Sequence, residues 1–508
     1  MTYPLDSPSF NLVDEAWIPC IRNDGTTAEL GLRQVLLEAH QIRSLHGESP
    51  LIVASLYRLL LAMMYSIYGA PSTRSWQKLW QTGKNDASRV EAYLAKWHER
   101  FYLFHPERPF YQWADGAIRK KTVVDMFPEL SSGRAGTLFD HHTHQNLSAF
   151  MPAQAARALL LVQTFSIAGG NGLAPSESSD APWSRGVVFL AEGDTLFETL
   201  MLNFMSEAQG GFYQIARDLP VWETENPFRP DRDVPLGFAD YLTWPIRKIY
   251  LMPQQANGRI SVSEVLMGPG LRLNPDFINP FYHYRIDKKY LMQRFNEARV
   301  LWRDSASFFS FHKQDKFHPP RTFYWISELV AENVLDASRN YRYMALGMAN
   351  NQAKVDFYSA EHLPLPVSYL QNAQNVDGLN AALEAAENVR KKLYGALSRM
   401  AMLIISPSAE NENGHKPDKK DVQNLLAHWA ADRQYWASLE APFFRLMRDL
   451  PVKGDDAVTQ WDTVLQESAR AAFDYAARMA GDDARALRAS VRAHGQLVGG
   501  LKKLFLET

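Results

Sequence analysis

The feature that most constrains this chain is an abrupt change of character near Glu361-His362-Leu363-Pro364-Leu365-Pro366. Beyond it the sequence is Ala-rich, Leu-rich and helical in period. Four segments, about 379–405, 421–450, 457–480 and 484–505, are separated by connections at 406–417, 451–455 and 481–483. Consecutive long helices with short links lie antiparallel, so the expected architecture is a four-helix bundle. Before the change, strand and helix signals alternate irregularly. The expected fold class is therefore α+β, with a mixed α/β domain over 1–368 and a four-helix bundle over 369–508. Arg485, Arg488 and Arg492 recur on one helical face, as a nucleic-acid surface or an ordinary solvated one.

Composition narrows the function. The chain has 508 residues, 46% apolar and 22% charged, as a soluble globular protein with a large core does. A net charge of -2 argues against a protein that coats nucleic acid by itself, because such binding scales with the phosphates neutralised. Any nucleic-acid contact must be local or shared with partners. The single Cys20 excludes an internal disulfide framework and a multi-cysteine zinc site, and it fits a reducing, cytoplasmic setting. No signal peptide is read at the start. Residues 51–68 come nearest to a membrane span, but they contain Ser55, Arg58 and Ser66. Ser49 as N-cap, Pro50 at the first helical position and Gly69 at the C-terminal cap punctuate a buried helix instead, and no membrane is expected.

In chain order, 10–21 reads as a strand running to an Asp24-Gly25 turn, followed by a helix through Val35, Leu36 and Leu37. Aromatic-rich 100–112 reads as core. Residues 131–149 form a polar loop whose His141, His142 and His144 lack the spacing of a common zinc site. A helix over 155–165 leads into Gly169, Gly170, Asn171 and Gly172, which either let backbone approach a ligand or simply end the helix. The Lys and Ser/Thr of a phosphate loop are missing, so nucleotide hydrolysis is unsupported. Further on come a strand over 187–190, Asp194 capping a helix over 195–205, and a loop over 221–235. A strand region over 242–251 runs to an Asn257-Gly258 turn with Arg259 just past its tip. Residues 280–290 interleave aromatic and basic side chains, a nucleic-acid signal that edge-strand packing explains equally well. His312 and His318, bracketed by Phe311, Phe317 and Pro319, read as histidines at an apolar edge.

A helix over 322–337 then leads into the stretch most suggestive of function. Tyr343, Ala345, Gly347 and Ala349 alternate at a strand's period, Asn350-Asn351 supplies a turn, and Val355, Phe357 and Tyr358 resume the apolar run. Gln352 is the one long side chain at this tip. Its flat, uncharged amide can hydrogen-bond base edges or push between base pairs, though a solvated turn residue satisfies the same pattern.

This stretch, with Asn11-Leu12 and Trp17-Ile18-Pro19 near the start and Phe101-Tyr102-Leu103, His105 and Pro109-Phe110 following, resembles the CasA family, the large subunit of the type I-E CRISPR surveillance complex Cascade. The resemblance implies a non-catalytic subunit that recognises the protospacer-adjacent motif (PAM) in target double-stranded DNA. In it Asn351, Gln352 and Ala353 form a wedge, and Gly169, Gly170, Asn171 and Gly172 lie along the PAM minor groove. Arg259 takes the place of the family's lysine finger, since no Lys lies between Lys248 and Lys288. Phe139 and His141 fall in the loop that meets the 5′ handle of the CRISPR RNA. Implied partners are that RNA, target DNA, the backbone, handle-binding and small subunits of Cascade, and a recruited helicase-nuclease. No metal or cofactor is implied. The competing readings are a metal-dependent hydrolase using His105, His141 or His144, and a scaffold subunit that does not touch DNA.

Overall fold

In the computed structural model the most apolar segment of the chain becomes a core helix, Pro50–Tyr68. The structure describes residues 9–114, 118–127, 149–169, 178–212, 218–297, 299–313, 315–351, 354–409 and 414–506. Ser49 accepts the Ile52 amide at 3.4 Å, Pro50 opens the first turn, and Gly69 ends the helix at φ 72°. Among the described residues this is the one helix long and apolar enough to cross a bilayer, but 83% of its apolar window is buried in protein. Its Arg58 is buried too. The guanidinium donates to the Gln163 carbonyl (3.0 Å), Thr164 Oγ1 (3.3 Å) and the Tyr241 carbonyl (2.9 Å), tying the helix to Pro152–Phe165 and to the short helix Phe238–Leu242.

The described residues divide into two compact units, Met1–Leu301 with Phe311–Leu370, and Trp302–Ser310 with Gln371–Thr508. The first is built from four small three-stranded sheets and the helices packed on them. Near the start, Ile18–Arg22 pairs with both Thr27–Leu30 and Ile42–Leu45, through a turn at Asp24-Gly25. The strand expected from residue 10 begins only at Ile18. Asn11 Oδ1 captures the Val13 amide and Trp17 Nε1 donates to the Leu12 carbonyl, so the preceding residues turn. Similarly, Thr195 rather than Asp194 caps the helix Leu196–Asn203, its hydroxyl accepting the Glu198 amide, while Asp194 pairs with Arg339 at 2.7 Å.

Two long hairpins dominate this unit. Arg247–Ala256 and Arg259–Pro269 form a ribbon, with Arg119–Thr122 along one edge. Its turn is the expected Asn257-Gly258, with φ of 52° and 73°, the paired positive values of a tight hairpin. The strand starts later than the expected 242, because Phe238–Leu242 is helical and Thr243 Oγ1 bonds back to the Ala239 carbonyl. The second hairpin pairs Asn340–Asn351 with Lys354–Pro366, and Val188–Glu192 adds a third strand. Asn350 and Asn351 are strand residues here, not the turn: Asn351 pairs with Lys354. The helix before this hairpin, Arg321–Ala331, is shorter than the expected 322–337, since Asn333 turns at φ 58°.

In the second unit, Ala373–Ile405, Ala431–Lys453, Asp455–Met479 and Ala484–Leu506 are long helices, each with an apolar stripe. Leu379, Ala382, Leu383, Ala386, Val389 and Leu393 bury one stripe at helical spacing. Trp461 Nε1 donates to the Ala382 carbonyl and Tyr435 Oη to the Ala386 carbonyl, both at 2.9 Å. The segment expected as one helix over 421–450 is two, Lys419–Trp429 and Ala431–Lys453, because Ala430 adopts φ 51°. Pro451 lies inside its helix, which runs on to Gly454. Trp302 joins this unit from far upstream, stacking on Phe443 at 4.5 Å, and Arg303 sits over the Trp436 ring and bonds Glu387.

Candidate nucleic-acid interface

Residues 166–169, after the helix Pro152–Phe165, and residues 178–183 form a stem. Two chain segments close on each other there. The Trp183 amide donates to the Thr164 carbonyl at 3.1 Å, and the Ala181 amide to the Ser166 carbonyl at 2.7 Å. The Ala168 amide donates to Asp180 Oδ1 at 2.8 Å, and the Gly169 amide to Ser178 Oγ at 3.3 Å. Gly169 itself takes φ 75°, a backbone state open to glycine at little steric cost. Gly170, Asn171 and Gly172 lie outside the described residues.

Beside this stem lies a cleft of about 1040 Å³ whose rim carries Ala168, Ser178, Arg185, Arg272, Lys289 and Arg294. Four cations here face three carboxylates, Asp180, Asp233 and Asp276. Two of those acids are already engaged: Asp180 by the Ala168 amide and, at 3.4 Å, by Arg185, and Asp233 by Asn274 at 3.1 Å. Arg272 is exposed and its neighbour Leu273 donates to Ser179 Oγ at 3.2 Å, so the segment carrying Arg272 is bonded to the stem carrying Gly169. Arg272 is not among the residues that the sequence pattern singles out. The available signal was Gly268-Pro269-Gly270, a break that turns the chain away from the ribbon just before it.

Arg259 stands elsewhere. It is exposed and opens its strand opposite Ala256, at the turn end of the ribbon, whereas the Gly169 stem adjoins the Arg247 end. Ten strand residues at about 3.3 Å each separate the two ends by roughly 30 Å. The long hairpin, by contrast, leaves from beside the cleft. Leu346 pairs with Val188, three residues after Arg185, and the strand continues to Asn351, roughly 17 Å further. Gln352 and Ala353, between Asn351 and Lys354 in the sequence, lie outside the described residues, as do Phe139, His141, His142 and His144.

The other singled-out residues divide between packed and exposed positions. His105 Nδ1 accepts the amides of Glu107 and Arg108, and burial lowers its pKa, so it acts as a neutral acceptor that ends a turn. Phe281, Tyr282, His283 and Tyr284 are buried, leaving Arg285, Lys288, Lys289 and Tyr290 exposed around the hairpin Tyr284–Asp287 with Lys289–Met292. His318 lies edge-on to Tyr284 and Tyr290, and burial draws it down to about 4; burial draws His283 to about 3. Among the described residues no three His, Cys, Asp or Glu side chains converge as a metal site. Arg485, Arg488 and Arg492 are exposed, with Arg488 Nε bonded back to the Ala484 carbonyl.

Residues 11–478 match the family model described as CRISPR-associated protein Cse1. The CRISPR-associated protein CasA/Cse1 of Thermus thermophilus is 31% identical over 97% of this chain and 98% of its own length. The crystal structure of Cse1 from Acidimicrobium ferrooxidans superposes with a TM-score of 0.81 at 22% identity, covering 98% of this chain and 99% of that one. A chain of a CRISPR RNA-guided surveillance complex gives 0.74 at 22% identity, covering 97% and 100%. The chain therefore belongs to the Cse1/CasA family, the large subunit of the type I-E Cascade complex.

Proposed function

We propose that this chain recognises the PAM of target double-stranded DNA within an RNA-guided Cascade complex and uses Gln352 to part the first base pair. The reading is supported most by one observation: the stem of the glycine stretch and the exposed Arg272 share one cleft, and the long hairpin leads away from its side. A cation held beside glycine backbone suits a minor groove, where main chain can approach base edges and Arg is drawn to the negative potential. In this reading Arg272, rather than Arg259, supplies that cation. The small excess of positive charge in the cleft, four cations against three carboxylates, fits a short, local contact. Guide pairing then carries the sequence specificity while the protein reads only the PAM.

The chain performs no chemistry in this account. It works in the cytoplasm with CRISPR RNA, the backbone, handle-binding and small subunits, and a helicase-nuclease that it helps recruit. Duplex binding by complexes carrying Arg272→Ala or Arg259→Ala, at one stated salt, tests the assignment. Arg272→Ala is expected to weaken PAM duplex binding by about 1–3 kcal/mol, and Arg259→Ala to leave it near wild type. The reverse pattern returns the role to Arg259. Failure of either complex to assemble supports the scaffold reading, and hydrolysis by purified chain with divalent metal supports the enzyme reading.

A further inference from the structure

Arg247 opens the first ribbon strand and is fully buried. Its side chain reaches across the base of the glycine stem. Nη2 donates to the Ile167 carbonyl and Nη1 to the Ser179 carbonyl, both at 3.0 Å, one on each side of the stem. Nη1 also reaches the Ile246 carbonyl at 3.0 Å, and that carbonyl accepts the Gly270 amide at 3.1 Å. Gln163 grips the Arg247 peptide from the adjoining helix, its Oε1 accepting the Arg247 amide (3.1 Å) and its Nε2 donating to the Arg247 carbonyl (2.8 Å). One buried cation thus bonds both arms of the Gly169 stem and the chain turn that leads into Arg272.

We propose that Arg247 is a positioning residue for duplex recognition, holding the Gly169 stem at a fixed separation from Arg272. The proposal rests on the PAM reading of this cleft. Arg58 is buried among carbonyls too, but the acceptors of Arg247, at Ile167, Ser179 and Ile246, flank the Gly169 stem and the turn into Arg272. Burying a guanidinium among carbonyls is costly where an apolar side chain would fill the same space, and a planar fork can serve several acceptors at once. Such an arrangement suits a site whose partners must be held to within about half an ångström. Burial draws the Arg247 pKa down to about 10, and the group remains cationic at neutral pH.

The test uses complexes reconstituted with wild-type chain, Arg247→Lys and Arg247→Met. A lysine keeps the charge but cannot span the Ile167 and Ser179 carbonyls from two nitrogens. Arg247→Lys is expected to assemble and to bind a matched single-stranded target as wild type does. Its ratio of affinities for PAM-containing over PAM-altered duplex should fall roughly tenfold. Hydrogen exchange at the Ala168 and Gly169 amides, which face Asp180 and Ser178, should accelerate in the same variant. Arg247→Met should go further in both, and if it does not assemble the Lys variant carries the test. Unchanged exchange overturns the clamp; faster exchange with an unchanged affinity ratio overturns its role in recognition. If the wild-type complex itself ignores the PAM, the functional reading fails, and the clamp stands or falls on the exchange rates alone.

Discussion

Gly270→Ala tests how tightly the end of the ribbon is built. A Cβ at position 270 would lie 2.2 Å from the Pro245 carbonyl oxygen, 2.6 Å from the Arg247 nitrogen and 2.6 Å from the Ile246 carbonyl carbon. All three are backbone atoms, so no rotamer change relieves the contact. Overpacking of this kind costs about 1–3 kcal/mol. The shift that relieves it also strains two hydrogen bonds, Gly270 amide to Ile246 carbonyl (3.1 Å) and Leu271 amide to Pro245 carbonyl (2.9 Å). Losing both would add about 2 kcal/mol, for a total near 3–5 kcal/mol. With an unfolding entropy of about 2.1 cal/mol/K per residue in a unit of this size, Tm should fall by about 4–7 °C. Because Arg272 follows two residues later, PAM discrimination should weaken while binding to single-stranded target persists. Calorimetry of the purified chain and duplex binding by the complex are the assays. A wild-type Tm in the variant would mean that the backbone around Gly270 yields to a Cβ at no cost, contrary to the contacts above.

Other outcomes follow from particular residues. Arg58→Met removes donors from the Gln163 and Tyr241 carbonyls and should lower stability by about 3 kcal/mol in denaturant titrations. Ala430→Gly relieves the left-handed backbone at φ 51° and should stabilise the helical unit by about 0.5–1 kcal/mol, read as a higher Tm. His318 is held neutral by burial, its pKa drawn to about 4, so the unfolded chain takes up its proton first as pH falls below about 6.5. Stability from this group is complete above that pH and drains away toward pH 4. His318→Phe should remove about 2 kcal/mol of that acid-side loss, flattening Tm against pH between 6.5 and 4.

What could be read in the sequence was whatever local chemistry decides. Ser49, Pro50 and Gly69 bracket their helix where expected, and Asn257-Gly258 turns the ribbon, because caps and tight turns are set by a few adjacent residues. The break at Ala430 was not legible, since an alanine carries no local signal for a left-handed backbone. Nor was the place of Trp302, which reads as core material but stacks on Phe443 far along the chain. The candidate site divides the same way. Gly169 stands out from the glycines beside it in the sequence, whereas the link from Arg272 to its stem runs through the Leu273 amide on Ser179 and the Arg247 guanidinium, which no local pattern signals. Arg259 stands out only through the resemblance, in the place of the family's lysine finger, and the register of the ribbon puts it at the turn end, away from Arg247.

In the proposed function this subunit reads the PAM and opens the duplex through Gln352. The most direct measurement compares wild-type and Gln352→Ala complexes on a PAM-containing matched duplex and on the same target with its first base pairs already unpaired. The variant should assemble, bind the pre-opened target as wild type does, and fail to open the intact duplex. Equal opening of the intact duplex by the two complexes would contradict this role of Gln352.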